Sequence, residues 1–498
     1  MRVAMMTAED YLASLRGRRP MEIYYLGERV KDPLTHPVIR SAINAVAETY
    51  RAAHESETAN LMQDVDAVTG IRVSRFTKLY QSREDLRAKT LMQRQLGRRT
   101  GTCFQRCVGM DALSSVESVT YEMDQALGTH YHDRFLSFVR RVQQEDLMVD
   151  GAMTDVKGNR SLRPGEQPDP DMYLRAVERR EDGIVIRGAK GHQTGVLCSH
   201  EILVMPTLAL RPGEEDYAVC CSVPVDAEGL VYIHGRQASD TRALDGGFDQ
   251  GNLSFSGQEC LVVFDDVFVP WERVYMLGET AYTGSLVERF GALHRQSYAG
   301  CKSGMGDVLI GAAAQAVEYS GVAGASHVRD KLVEMTHLNE TVYAGGLAAA
   351  SEAKALPSGT YLSDVLLSNV TKLHVTRNPY EIARLATDLA GGLVGTLPSE
   401  ADFRHPVAGN FLRKYLATGE DVPPENRARI LRLIENIVAG RNAVSYLIES
   451  MHGAGSPQAQ RVIIGRAANF AEQKAAARRL CGVDEAPERA ALPGPAAD

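Results

Sequence analysis

Apolar residues recur at three- and four-residue spacings through the first part of the chain. In THPVIRSAINAVAETYRAAHES and RTGTCFQRCVGMDALSSVESVTYEMDQ they alternate with charged residues and few β-branched runs intervene, which predicts a helical segment over residues 1–147. The pattern changes near Gly151. YLRAVERREDGIVIRGAKGHQTGVLCSHEILVMPTL and DYAVCCSVPVDAEGLVYIHG carry short Val/Ile-rich runs broken by Glu-Asp-Gly, Arg-Gly-Ala and Asp-Ala-Glu-Gly turns, so residues 148–284 read as a β domain ending near CLVVFDDVFVPWERVYM. From residue 285 to 480 the helical spacing returns, as in GDVLIGAAAQAVEYSG and NRARILRLIENIVAGRNAVSYLIESMHG, and residues 481–498 read as a flexible tail. The fold class this predicts is α+β, mostly α.

Composition narrows the function classes. At 498 residues the chain is long enough for several packed subdomains and a large buried ligand. Its hydrophobic share of 44% and charged share of 24% are those of a globular enzyme. The net charge of −8 and the absence of a Lys/Arg block argue against nucleic acid as a partner. No stretch approaches the roughly 18 apolar residues of a membrane span, and the first twenty residues contain no apolar h-region, so no membrane partner and a cytoplasmic location are expected. Eight cysteines in this length read as thiols or metal ligands rather than a disulfide scaffold.

Cys103 and Cys107 stand four apart, a spacing that brings two thiols to one face of a predicted helix. The same spacing also occurs in ordinary buried faces. In ERFGALHRQSYAGCKSGMGDV, His294, Tyr298 and Cys301 fall at i, i+4 and i+7, with Lys302 one turn after Tyr298. A His, a Tyr, a Cys and a Lys on one stripe, with Gly300, Gly304 and Gly306 beside them, suit a pocket wall, although a polar seam between helices is the alternative. Cys198, Cys220, Cys221, Cys260 and Cys481 lack partners at ligand spacing and are expected to be plain buried thiols. Trp271 is expected to anchor packing, His130 and His132 to sit at the surface, and His452 in MHGAGS to lie on a loop of close approach.

These residues resemble the 4-hydroxybutyryl-CoA dehydratase and vinylacetyl-CoA isomerase family, within the wider group of flavin-dependent 4-hydroxyphenylacetate 3-hydroxylases. The likeness covers nearly the whole chain. It implies an acyl-CoA dehydrogenase-like fold with an N-terminal helical domain, a central β domain and a C-terminal helix bundle. It implies that Cys103, Cys107, His294 and Cys301 hold a [4Fe-4S] cluster, with Gln105, Glu259, Tyr298, Lys302 and Glu449 as active-site groups and His294 as a further candidate base. For FAD it points to Met153, Thr154, Asp155, Lys157, Gly158, Asn159 and Arg160, to Thr194, and to Gly391, Gly392 and Thr396. Glycine turns let backbone amides approach a pyrophosphate or ring edge.

The reaction so implied dehydrates 4-hydroxybutyryl-CoA to crotonyl-CoA by a flavin-initiated radical route, with the cluster as Lewis acid, in a homotetramer. Two other readings stay open at this point: a two-component, FADH2-dependent phenol monooxygenase without a cluster, and a non-catalytic flavoprotein electron carrier.

Overall fold

The structure, a computed structural model, describes residues 5–156, 158–237, 247–418 and 421–483. It is mostly helical with two central sheets. The larger sheet has six strands in the order Glu28–Arg29, Glu22–Tyr25, Leu230–His234, Glu259–Pro270, Gly183–Thr194 and Arg175–Arg179. The second has four, in the order Val274–Leu277, Val219–Pro224, Glu201–Val204 and Val149–Ala152. Ile184, Ile186, Val262 and Phe264 of the first sheet share a core with Ile202, Val204, Val219 and Val223 of the second. The β-branched and aromatic residues that marked these runs in the sequence thus fill the layer between the sheets.

The first 147 residues are not wholly helical. Glu22–Tyr25 pairs in parallel with Leu230–His234, Ile23 lying opposite Tyr232, and a hairpin joins Gln63–Val65 to Arg72–Ser74. Ile23 and Tyr25 alternate inward from a run of four residues, too short for periodicity to separate from a helix turn.

The helix Thr280–Tyr319 is the axis of the helical part. Its 40 residues span about 60 Å at 1.5 Å per residue. Around it pack Arg83–Thr100, Cys107–Leu127, Ser326–Ser351, Val365–Val375, Asn378–Ala390 and Pro424–Val438. Every residue from Phe290 to Gly306 is buried, polar ones included. Gly300, Gly304 and Gly306, expected to line a pocket, serve close helix contact instead. A Cβ at Gly300 would come within 2.5 Å of the Thr90 carbonyl, one at Gly304 would strike the Arg94 carbonyl, and one at Gly306 would strike Asn339. Gly97 on the opposing helix completes the contact, since its Cβ would stand 2.7 Å from the carbonyl of Cys301. Small residues on both helices bring the backbones together at the turn that carries Cys301. Among the described residues no helix is long and apolar enough to cross a membrane.

Candidate active site

Cys103 and Cys107 do not share a helix. The helix Arg83–Thr100 ends at Gly101, whose left-handed backbone (φ 60°) returns its amide to the Gly97 carbonyl at 2.9 Å. A new helix begins at Cys107. Cys103 therefore lies in the link between them, which Gln105 bends with a φ of 63°. The turn is locked from outside by Gly195, where a Cβ would meet the Cβ of Gln105 at 2.7 Å. Gln105 also donates from Nε2 to the Ala42 carbonyl at 3.0 Å.

His294, Tyr298, Cys301 and Lys302 do share the long helix. The His294 and Tyr298 rings meet edge to face, with centroids 5.3 Å apart. Cys103, Cys107 and Cys301 form no disulfide, and burial first, with the nearby Glu449 or Asp111 carboxylates adding to it, pushes all three thiols up. Gln93 donates from Nε2 to the Cys107 sulfur at 3.2 Å. Among the described residues no group of three or more His, Cys, Asp or Glu side chains converges as single-ion ligands.

The sequence reading missed Asp111, the hub behind His294. It is fully buried on the helix Cys107–Leu127. It bonds His294 Nδ1 at 2.9 Å and accepts from Ser297 at 2.7 Å, Tyr80 at 2.8 Å and Lys89 at 3.1 Å. Burial opposes its charge, but Lys89, His294 and Ser297 outweigh that and hold its pKa at about 2. With Nδ1 fixed, Nε2 is the ring nitrogen left to serve a ligand or substrate. Asp111 sits four residues after Cys107, the one signal by which spacing might have found it.

A second polar cluster adjoins the thiols. Lys302 Nζ donates to Glu449 Oε2 at 2.6 Å and also to the Ser445 carbonyl. That carbonyl belongs to a single π-helical turn, Val444–Ile448, a local widening that recurs at functional sites. Burial acts against the Lys302 charge, and Glu449 more than offsets it, raising the pKa above the ordinary value. Glu259 accepts from Thr194 Oγ1 at 2.7 Å, while burial and the Glu449 carboxylate push its pKa well up. Two carboxylates near one ammonium thus diverge: Glu449 pairs with Lys302, while burial and the Glu449 charge favour the neutral form of Glu259. Burial and then Glu449 also raise Tyr298, whose hydroxyl fits against Gly453 in space that a Cβ would fill. The close-approach reading of MHGAGS therefore applies at Gly453, whereas His452 itself is exposed.

The flavin expectations divide. Thr194 ends the strand Gly183–Thr194, directly across from Glu259. Met153 and Asp155 are committed to the fold: the Met153 carbonyl accepts from Lys190 Nζ at 3.0 Å, and Asp155 pairs with the same ammonium at 2.9 Å. The Thr154 carbonyl accepts from the Gly191 amide at 2.8 Å. Gly158, Asn159 and Arg160 are exposed, and Lys157 lies outside the described residues. Gly391, Gly392 and Thr396 are exposed beside the helices Asn378–Ala390 and Pro424–Val438, and no described hydrogen bond joins them to residues 153–160 or Thr194. Elsewhere, Cys198, Cys220, Cys221 and Cys260 are buried thiols, Cys481 is exposed, and Trp271 donates to the Glu181 carbonyl at 2.8 Å while packing on the core. His130 is exposed, and His132 is half-buried against Tyr121.

Two family models cover this architecture: 4-hydroxyphenylacetate 3-hydroxylase N terminal over residues 7–276 and its C terminal over residues 283–482. The 4-hydroxybutyryl-CoA dehydratase/vinylacetyl-CoA-Δ-isomerase of Clostridium aminobutyricum is 51% identical over 96% of this chain and 100% of its own length. The chain belongs to the 4-hydroxyphenylacetate 3-hydroxylase family, in its 4-hydroxybutyryl-CoA dehydratase branch. A solved archaeal 4-hydroxybutyryl-CoA dehydratase from N. maritimus superposes on this family member with a TM-score of 0.95 at 53% identity, covering 98% of this chain and 97% of that one. The monooxygenase branch is more distant. The oxygenase component of 4-hydroxyphenylacetate 3-monooxygenase complexed with FAD gives a TM-score of 0.84 at 25% identity over 95% and 98% of the two chains.

Proposed function

We propose that the protein is a lyase of the 4-hydroxybutyryl-CoA dehydratase type, forming crotonyl-CoA and isomerising vinylacetyl-CoA, with FAD and a [4Fe-4S] cluster. The observation that carries this reading is the juxtaposition of the buried thiols Cys107 and Cys301, the half-buried Cys103 and an Asp111-held histidine with the proton-transfer groups Glu259, Tyr298, Lys302 and Glu449. Close identity with a protein named for this activity supports it. The three-part layout with boundaries near residues 147, 284 and 480, and its acyl-CoA dehydrogenase-like arrangement, belong to the same reading.

The residues fit the implied groups. Thiolates and imidazole are suitable iron ligands, and a cubane meets its ligands at separate corners, so they need not converge as they would on one ion. Gln93 Oε1, Gln105 Oε1, Glu259 Oε2 and Glu449 Oε1 are buried without partners among the described residues, as expected where a polar group enters. Cys103, Cys107, Cys301 and His294 would hold the cluster. Thr194 would hold the flavin near Glu259, with the backbone of Met153, Thr154 and Asp155 beside it. Gly391, Gly392 and Thr396 suit a flavin contact from a neighbouring subunit, consistent with a tetramer. Val407, Phe411 and Tyr415 are 60, 57 and 71% exposed around the helix Ala408–Tyr415, an apolar stripe suited to a subunit contact.

When bound, the flavin supplies the one-electron chemistry that acidifies C3 of the acyl chain, and the cluster a Lewis-acidic iron for the leaving hydroxyl. His294 would take the C2 proton through Nε2, the ring nitrogen that its bond to Asp111 leaves available. Tyr298 and the neutral form of Glu259 stand ready to deliver a proton to the hydroxyl, and Lys302 stabilises the negative charge of Glu449 beside them.

Protein purified without oxygen tests this. Flavin, iron and acid-labile sulfide should be present, crotonyl-CoA should form from 4-hydroxybutyryl-CoA, and Cys103→Ala or Cys301→Ala should lose iron. Flavin without iron, together with phenol hydroxylation, would replace the reading with the monooxygenase.

A further inference from the structure

Lys372 lies on the helix Val365–Val375 and is fully buried. Its Nζ donates to the Ser450 carbonyl at 2.6 Å and stands 4.6 Å from the centre of the Tyr298 ring. Lys302 Nζ stands 5.2 Å from the same centre, so two side-chain nitrogens address one phenol. Lys302 has the Glu449 carboxylate as counter-ion, whereas no described ion pair joins Lys372 to an acid. Burying an ammonium without a counter-ion is costly, and the electron-rich face of an aromatic ring is one of the few groups that offsets the cost.

We propose that Lys372 is a positioning residue that holds the Tyr298 ring and balances the negative charge its oxygen acquires on giving up a proton; this rests on the dehydratase reading. In the step concerned, the Tyr298 O–H bond breaks and its proton passes to the substrate hydroxyl. The C4–O bond breaks with its electron pair on oxygen while the pair of the C3–H bond becomes the C3–C4 double bond, and water departs. The phenolate regains its proton from the one removed from the acyl chain. Between those events the negative charge lies on a buried oxygen, and a cation beside the ring is what makes that state accessible.

The groups facing Lys372 define how its charge responds to pH. Lys302 and Arg295 are cationic, the Glu449 carboxylate and the Cys301 thiol act the opposite way, and Tyr298 lies beneath. Burial first, then Lys302 and Arg295, lower its pKa to about 7.

The test uses the holoenzyme with Lys372→Met, which keeps the stem and removes the nitrogen, and with Lys372→Arg. Turnover of 4-hydroxybutyryl-CoA should fall about 10- to 100-fold in kcat with KM nearly unchanged, and Arg should restore most of it. Independently of turnover, 3-fluorotyrosine placed at position 298 should give a fluorine signal that moves between the otherwise unaltered protein and Lys372→Met and returns toward its first position in Lys372→Arg. A fluorine signal unmoved by Lys372→Met, an unchanged kcat in Lys372→Met, or an effect confined to KM overturns the proposal. The fluorine comparison stands even if the substrate is a different acyl-CoA, which separates failure here from failure of the dehydratase reading. If Lys372→Met loses its flavin or its fold, Lys372→Gln is read by the same two measurements.

Discussion

Asp150 offers the sharpest test of the physical account, because it is a carboxyl group stranded in an apolar layer. It lies on the strand Val149–Ala152 with 1% of its surface exposed, and no side chain among the described residues bonds either oxygen. Burial raises its pKa to about 8, the Gly151 amide opposing only weakly. An unfolded aspartate titrates near 3.9. At pH 7 the unfolded chain carries Asp150 ionised while the folded chain must bind a proton, which costs about 1.4 kcal/mol for each of roughly three pH units, or about 4 kcal/mol. Because the folded state binds more protons, stability falls as pH rises from about 4 to about 8 and levels off above the folded pKa. Asp150→Asn keeps the shape and removes the ionisation, while its amide hydrogens remain unpartnered at a pH-independent cost of about 1–2 kcal/mol. The variant should therefore be more stable at pH 7 by about 2–3 kcal/mol, a rise in thermal midpoint on the order of 5 °C or less for a chain this long. The advantage should shrink by about 1.4 kcal/mol per pH unit on acidification and reverse near pH 5. Thermal midpoints of both proteins, measured at equal concentration from pH 5 to 8, provide the assay. A difference that does not vary with pH would show that Asp150 does not change protonation on folding, and the argument from burial would be wrong.

Other perturbations address the site. Asp111→Asn should leave the fold intact but weaken His294 as an iron ligand, lowering iron content or activity about 10- to 100-fold, read by iron analysis after controlled chelation. Gly453→Ala puts a methyl group where the Tyr298 hydroxyl lies, so kcat should fall sharply while flavin content stays near normal; normal turnover would refute the contact. Gly97→Ala forces the helix Arg83–Thr100 away from the Cys301 carbonyl and should cost about 1–3 kcal/mol, seen as a lower thermal midpoint and faster iron loss. Phe411→Glu should leave the monomer folded but reduce its assembly in sedimentation, whereas unchanged assembly would free that stripe from any subunit role.

The sequence by itself determined what period and residue type can encode. The stripe of His294, Tyr298, Cys301 and Lys302 was readable because one uninterrupted helix carries it, and helical geometry converts spacing into direction. The Val/Ile-rich runs became the two sheets for the equally local reason that β-branched residues suit a half-buried pleat. Tertiary structure decided what distance along the chain conceals. The left-handed Gly101 ends one helix before Cys103, and Gln105, at positive φ, bends the link that keeps Cys103 off the helix of Cys107, with Gly195 packed against it from 90 residues away. Glu22–Tyr25 became a strand because Leu230–His234 offered an edge, not because four residues could specify one. Asp111 and Lys372 acquired their roles from the side chains that surround them, His294 and Tyr298, and no spacing in the chain announces either contact. Protonation is the clearest case. Glu259 and Glu449 are the same residue type in the sequence, and only their shared neighbourhood makes Glu449 the partner of Lys302 and pushes the pKa of Glu259 up, because burial and a nearby like charge act through space.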